Sequence, residues 1–85
     1  MGRYRVLIRR SAEKEIARLP DAIRRRVVDR ILALTDDPRP HGCQKLSGEE
    51  KYRIRQGDWR IVYEIDDDMV VVLIVRVAHR SDVYR

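Results

Sequence analysis

The sequence contains little cysteine and no long apolar segment, and both absences exclude classes of protein. A single cysteine, Cys43, excludes an internal disulfide and fits a reducing compartment. The longest apolar run, Met69–Val75, is far shorter than the roughly 20 residues of a membrane-spanning helix. Arg3 and Arg5 interrupt the N-terminal apolar stretch, so it does not resemble an export signal. We therefore expect a cytoplasmic protein that has no membrane partner.

Metal ligands are equally scarce. The sequence offers no second cysteine and no pair of histidines one helical turn apart, since its histidines are His41 and His79. We expect neither a metal site nor a cofactor. The chain of 85 residues is 44% hydrophobic, a proportion that supports one core, and it is too short for a second. The sequence therefore predicts one domain over residues 1–85.

Lysine is also rare, which makes the basic residues informative. Of the 19 basic residues, all but Lys14, Lys45 and Lys51 are arginines, and the net charge is +5. The guanidinium group is permanently charged, pairs bidentately with phosphate and stacks on bases. An arginine-rich basic domain favours a polyanionic partner, with nucleic acid first. A GC-rich genome produces the same bias, so both explanations stay open.

Helical periodicity predicts two consecutive helices. The first is expected over about Ala12–Arg18 with Ser11 as its N-cap, and the second over about Ala22–Leu34 with Asp21 as its N-cap. Proline at position 20 separates them. An apolar stripe along the second helix is expected to face the core and consists of Ile23, Val27, Ile31 and Leu34.

Alternating and apolar segments predict four strands, Tyr4–Ile8, Lys51–Arg55, Trp59–Ile65 and Met69–Val77, with a loop over residues 38–50. The last strand is continuously apolar, which indicates a central position covered on both faces. The order is β-α-α-β-β-β. The predicted fold is α+β, with a helical hairpin packed on one face of a largely antiparallel four-stranded sheet.

Side-chain alternation places several arginines on the face that the helices leave open. Arg53 and Arg55 share one face of their strand, and Arg60 can join them from the next strand. Trp59 and Tyr63 fall on the other face and are assigned to the core rather than to base stacking. Near the end of the last strand, Arg76, His79 and Arg80 could close one end of this surface. A phosphate-binding surface and a solvated strand face with weak ion pairs remain open as interpretations.

Four segments in combination carry a family resemblance: Lys45–Gly48, Tyr52–Arg55, Trp59–Glu64 and Ala78–Tyr84. Together with Ser11–Lys14 in the first helix, they resemble the RelE/ParE toxin superfamily over nearly the whole chain. The resemblance implies a RelE-like, microbial-ribonuclease-like fold and a toxin of a type II toxin–antitoxin system.

RelE-like toxins cut mRNA in the ribosomal A site, with the 2′-OH of the RNA as nucleophile and without a metal. The resemblance therefore implies an mRNA interferase that inhibits translation. The site residues that it implies are Arg53, Arg55, Arg60, Arg80 and Tyr84. We assign catalysis to Arg60, Arg80 and Tyr84, with His79 as a further candidate, and phosphate binding to Arg53, Arg55 and Lys51.

The chain departs from the RelE pattern at Arg53 and Arg55, which stand where lysines are expected. Arginine does not readily lose its proton and is a poor general base. Both residues can still bind phosphates and stabilise charge that develops in the transition state. The proton-transfer group is therefore sought at Tyr84, which matches the family, or at His79, because an imidazole suits proton transfer at neutral pH.

The resemblance implies a cognate antitoxin, mRNA and the ribosome as partners, with DNA contacted only through the antitoxin. An acidic antitoxin segment would match the arginines. One alternative is a ParE-like toxin, which binds and poisons DNA gyrase without cleaving RNA. A third possibility is a chain that has lost its activity and only binds its antitoxin.

Overall fold

Two helices and five strands make up the described part of the chain, residues 3–46 and 50–83, in this computed structural model. The helices succeed one another along the chain and pack on one face of the sheet. The predicted α+β architecture is confirmed. In chain order the elements are β1 (Arg5–Ile8), α1 (Arg10–Ala17), α2 (Asp21–Ala33), β2 (Gln44–Lys45), β3 (Lys51–Gln56), β4 (Trp59–Asp66) and β5 (Val71–His79).

The sheet has the strand order β1-β5-β4-β3-β2 and is mixed. β1 runs parallel to β5, and all the other neighbours are antiparallel. The prediction of four strands was wrong by one. Gln44 and Lys45, predicted as loop, pair with Arg53 and Tyr52 and form the edge strand β2. A strand of two residues satisfies backbone groups of β3 but is too short to leave a periodic pattern in the sequence.

The two helices begin without the side-chain caps that the sequence predicts. The residue before α1 is Arg9, so Ser11 lies inside the first turn, and no side chain caps the helix. The residue before α2 is Pro20, and Asp21 is the first residue of the helix rather than its cap. A carboxylate in this first turn is still favourable, because it faces the positive end of the helix dipole.

The apolar stripe of α2 faces the sheet as predicted. Val27, Ile31 and Leu34 are buried, and Ile23 packs against the same cluster. Tyr63 is fully buried and its hydroxyl donates a 2.7 Å hydrogen bond to a backbone carbonyl, so its assignment to the core is confirmed. The sheet contributes to this core through Tyr52, Ile54, Ile61, Tyr63, Ile65, Val72, Ile74 and Val77.

β5 lies inside the sheet between β1 and β4, although the central strand is β4 rather than β5, for which the apolar sequence predicted that position. The helices cover one of its faces. On the opposite face, here called the open face, Val62, Val75, Ala78 and Val83 form a second buried cluster. Val83 belongs to the turn that follows β5, residues 80–83, here called the C-terminal turn. This turn therefore folds back over part of the open face.

A β-bulge decides which residues of β5 reach the open face. The register with β4 shifts at Val62 and Tyr63, whose partners are Arg76 and Ile74. Val75 is thus the extra residue, and the side chains beyond it change faces relative to a regular strand. As a result Arg76 lies beside Val62 on the open face. A regular alternation would have placed it on the helix side together with Ile74.

The helices of the described residues are all too short or too polar to cross a membrane.

Polar contacts hold the end of the sheet that is remote from the β3–β4 turn. Arg39 donates a 2.9 Å hydrogen bond to the carboxylate of Asp67, and the hydroxyl of Tyr4 donates another at 2.8 Å. The guanidinium of Arg39 also lies 5.1 Å from the ring centre of Tyr52. The hydrogen bonds from Arg39 and Tyr4 hold the pKa of Asp67 below its usual range.

We expect Asp67→Asn to lower the melting temperature at neutral pH and to reduce the loss of stability on acidification. A lowered carboxyl pKa stabilises the fold above its unfolded value, about pH 4, and this contribution disappears as the pH falls through the folded value. Thermal melts of wild type and variant on both sides of that pH measure the effect. Asp68→Asn, at an exposed neighbour, is the matched control. Equal melting temperatures at neutral pH would contradict the assignment.

Candidate functional site

The hairpin formed by β3 and β4 brings the predicted arginines together on the open face. Arg55 is directly opposite Arg60 in the register, and Arg53 lies two residues before Arg55 on the same face. Tyr52 and Ile54 take the other face and are buried beneath the helices. Directly opposed like charges repel each other, so the pairing of Arg55 with Arg60 costs stability unless an anion binds there.

The hairpin turn brings the strands close enough for this pairing. Gly57 has a φ of +59°, a left-handed conformation that glycine adopts without a steric penalty. The turn also holds Arg60 in place, because Nη1 of this residue donates hydrogen bonds to the carbonyl oxygens of Gly57 at 2.9 Å and Trp59 at 3.1 Å. On the neighbouring strand, Arg53 donates to the side-chain oxygen of Gln44. The guanidinium of Arg60 is thus held by neutral backbone oxygens.

Arg80 reaches the same group from the C-terminal turn. Its backbone N–H donates a 2.8 Å hydrogen bond to the carbonyl of Asp58 in the hairpin turn. Its Nε lies 3.8 Å from the Asp58 carboxylate, and both side chains are mostly exposed, so this ion pair is weak. Arg53, Arg55, Arg60 and Arg80 are here called the arginine cluster.

The other three arginines of the cluster act on the pKa of Arg60. Partial burial lowers this pKa most, and the charges of Arg55, Arg53 and Arg80 lower it further. Asp58 opposes the shift but does not cancel it. A cation whose pKa is lowered is disfavoured by its surroundings. At Arg60 the positive charges of the cluster therefore outweigh the compensation that Asp58 supplies.

His79 does not join the arginine cluster. It is opposite Trp59 in the register, and the two rings meet edge to face with their centres 5.5 Å apart. Because Trp59 packs against the core beneath the helices, this contact keeps the imidazole on the helix side of the sheet. Nδ1 accepts a 3.3 Å hydrogen bond from the backbone N–H of Ser81 and lies 2.9 Å from the Ser81 hydroxyl.

Two further candidates remain, Tyr84 and Lys51. Tyr84 lies outside the described residues. Lys51 is on the open face, but at the other end of β3, where it is opposite Glu64. That end of the face is a groove with more carboxylates than cations in its lining. Its lining consists of Arg5, Leu7, Glu50, Lys51, Glu64, Ile65, Asp66, Asp67, Asp68, Met69, Val71 and Leu73.

The structure adds residues that the sequence pattern did not single out. Asp58 anchors the C-terminal turn through its carbonyl, and Glu15 on α1 contacts Arg76 on β5. No spacing rule links positions so far apart in the chain. Among residues 3–46 and 50–83, no group of three or more histidine, cysteine, aspartate or glutamate side chains is arranged to hold a metal ion.

The fold and the cluster together define a small basic α+β domain with one strongly cationic end on its open sheet face. Residues 6–84 match the family model described as the ParE toxin of type II toxin–antitoxin systems. Toxin RelG of Mycobacterium tuberculosis is 34% identical, over 96% of this chain and 97% of that protein. Toxin RelE of the same organism is also 34% identical, over 96% of this chain and 87% of that protein.

Solved structures give the same result. The archaeal RelE–RelB complex from Pyrococcus horikoshii superposes with a TM-score of 0.83 at 30% identity, over 94% of this chain and 98% of that chain. The isolated RelE toxin of Escherichia coli gives 0.80 at 29% identity, over 95% and 90%. The chain belongs to the RelE/ParE superfamily of toxins from type II toxin–antitoxin systems. The resemblance seen in the sequence is confirmed, and so is the RelE-like fold.

Proposed function

We propose that this toxin is an endoribonuclease that cleaves mRNA in the ribosomal A site and thereby inhibits translation. The arginine cluster is the observation that carries the proposal, because it concentrates guanidiniums on an exposed sheet end where a phosphate backbone can bind. Relatives named RelE and RelG, each 34% identical, support the same assignment.

In the proposed reaction the 2′-OH of the RNA attacks the adjacent phosphorus, the bond to the 5′-oxygen breaks, and a 2′,3′-cyclic phosphate forms. Arg60 and Arg80 stabilise the negative charge that develops on the phosphate oxygens. Arg53 and Arg55 bind the flanking phosphates, and Lys51 binds the backbone further along the same face. The guanidiniums supply the charge stabilisation, so the mechanism needs no metal.

Proton transfer requires a group other than arginine, and we propose Tyr84 ahead of His79. The ring of His79 is engaged with Trp59 on the helix side, whereas the cluster occupies the open face. Tyr84 follows the C-terminal turn directly in the sequence. A cationic neighbourhood would favour the phenolate form of this residue.

We expect Tyr84→Phe to lower the rate of RNA cleavage by about 10²- to 10⁴-fold, the usual contribution of general acid–base catalysis, and His79→Gln to have a much smaller effect. Phenylalanine keeps the ring and removes only the group that carries the proton. Single-turnover cleavage of an RNA in programmed ribosomes measures both variants. The reverse order of effects would assign proton transfer to His79.

The proposed partner is a cognate antitoxin. The relatives from Pyrococcus horikoshii and Methanococcus jannaschii were solved as complexes with RelB antitoxins. By charge complementarity, an acidic segment of the antitoxin would cover the arginine cluster and block RNA. DNA would be contacted only through the antitoxin. We further propose that residues 1–85 act as one domain in the cytoplasm, where the mRNA and the ribosomes are.

A second candidate function is poisoning of DNA gyrase by direct binding. The match to the ParE toxin family over residues 6–84 favours it. The two functions differ in what the toxin does to nucleic acid. The RNA-cleaving toxin breaks mRNA itself, whereas the gyrase poison traps breaks that gyrase makes in DNA.

Inducible expression in a bacterial host tests the two functions together. We expect new mRNA 5′ ends within translated regions, mapped by primer extension, and no increase in DNA cleavage complexes of purified gyrase. Gyrase cleavage complexes without new RNA ends would establish the ParE-like function instead. A toxin that arrests growth in neither way would refute both.

A further inference from the structure

Glu15 on α1 completes the hydrogen bonding of β5 beyond the point where the neighbouring strand β1 ends. The pairing of β1 with β5 stops at Ile8 and Ile74. Beyond this point β5 lacks a strand partner on that side among the described residues. The backbone N–H of Val77 donates a 2.9 Å hydrogen bond to Oε1 of Glu15 instead. A helix side chain thus satisfies a strand donor that burial would otherwise leave costly.

The second carboxylate oxygen of Glu15 holds Arg76. Oε2 lies 3.5 Å from Nε of Arg76, and the two side chains are only 27% and 32% exposed. Nη1 of Arg76 donates a 3.2 Å hydrogen bond to the carbonyl of Val83. A continuous chain of contacts therefore runs from α1 through β5 to the C-terminal turn.

The turn is fastened at both ends. At its start, the backbone N–H of Arg80 is bonded to the Asp58 carbonyl. At its end, Val83 is 4% exposed within the second cluster, and Arg76 holds its carbonyl. The backbone N–H groups of Asp82 and Val83 both donate to the carbonyl of His79, at 2.8 and 3.1 Å. The backbone of Arg80 therefore cannot leave the hairpin turn without breaking one of these contacts.

We propose that Glu15 and Arg76 are positioning residues that hold the C-terminal turn, and thereby keep Arg80 beside the other members of the arginine cluster. Arg60 and Arg80 repel each other, and the exposed ion pair of Arg80 with Asp58 is too weak to hold Arg80 in place. Arg76 acts by holding the turn rather than by binding RNA, because its charge is already paired with the carboxylate of Glu15. The pair Glu15 and Arg76 is here called the clamp. The effect of the clamp on RNA cleavage rests on the proposed function, whereas its effect on the C-terminal turn does not.

Glu15→Gln separates a clamp from a simple charge effect. The amide oxygen still accepts the Val77 N–H, but the charge that orders Arg76 is gone. If Arg76 acted only by attracting RNA, removal of a nearby negative charge would strengthen binding and leave kcat unchanged. The clamp predicts a kcat about 10- to 100-fold lower, because displacement of a catalytic group by about 1 Å has this cost, with an unchanged KM for RNA.

Arg76→Met and the double variant complete the series. We expect Arg76→Met to lower kcat as Glu15→Gln does, and the double variant to be no worse than either, because the residues act through one contact chain. Glu13→Gln, an exposed site on the same helix with the same charge change, is the control and is expected to match wild type. Additive losses, or a loss in Glu13→Gln, would overturn the clamp.

Amide hydrogen exchange tests the clamp without reference to activity. We expect Glu15→Gln and Arg76→Met to speed exchange at Asp82 and Val83, while α2 and the β3–β4 hairpin keep wild-type protection. Unchanged exchange in the turn would overturn the inference, as would a uniform increase across the chain. If the wild type does not cleave RNA, the proposed function fails, and the exchange rates still decide whether the clamp exists.

Discussion

Arg60→Ala and Arg80→Ala are each expected to abolish growth arrest while the protein stays folded. Each substitution removes a guanidinium from the place where the proposed reaction develops negative charge. Loss of one such group lowers kcat by about 10²- to 10³-fold in enzymes that stabilise charge in this way. Growth after induction, together with RNA 5′-end mapping, measures the result.

The electrostatics of the cluster predict that Arg60→Ala does not lower the stability of the fold. The pKa of Arg60 is lowered by partial burial and by three neighbouring arginines, so its charge is disfavoured in the folded state. Removing this charge relieves repulsion and offsets the loss of two hydrogen bonds to the hairpin turn. We therefore expect the melting temperature of Arg60→Ala to be unchanged or raised.

The control for both variants is Arg26→Ala, which makes the same charge change at an exposed position on α2. Its growth arrest is expected to equal that of the wild type. If Arg60→Ala and Arg80→Ala also kept full toxicity, the cluster would have no part in the mechanism. If all three lost toxicity equally, the net charge of the protein rather than the cluster would be the cause.

Ile54→Ala is expected to produce the largest loss of stability. Ile54 is 1% exposed on β3, opposite Ile61, which is completely buried. Truncation leaves a cavity between the sheet and the helices, and substitutions of this kind cost about 2–5 kcal/mol in free energy of unfolding. A small domain has a total of about 5–15 kcal/mol. Urea unfolding followed by circular dichroism measures the change.

Leu32→Ala is the matched control, because Leu32 is 56% exposed on α2, and its effect is expected to be small. We expect Ile54→Ala to weaken growth arrest as well, because a large fraction of the toxin is then unfolded. The two kinds of variant thus lose toxicity by different routes. Ile54→Ala loses it together with stability, and Arg60→Ala loses it without a fall in stability. An unfolding free energy of Ile54→Ala equal to that of wild type would show that the core is packed differently.

Local periodicity predicted much of the fold and part of the site. The spacing of Val27, Ile31 and Leu34 predicted the buried side of α2, and alternation predicted that Arg53 and Arg55 share a face. Such patterns involve residues that are close together in the sequence, so the sequence alone shows them. The predicted caps at Ser11 and Asp21 were wrong, because Arg9 and Pro20, whose backbone is extended, occupy the N-cap positions and no side chain caps either helix.

By itself, the sequence determined the order of all the elements except β2, the buried side of α2 and of the β3–β4 hairpin, and the excess of arginine on that hairpin. Only the tertiary structure decided that β1 pairs in parallel with β5, that a bulge turns Arg76 to the open face, and that Glu15 and Asp58 anchor the C-terminal turn. It also separated His79 from the cluster. These features depend on contacts between segments that are far apart in the chain. The packing of the whole domain selects such contacts, whereas periodicity describes only residues that are near neighbours in the sequence.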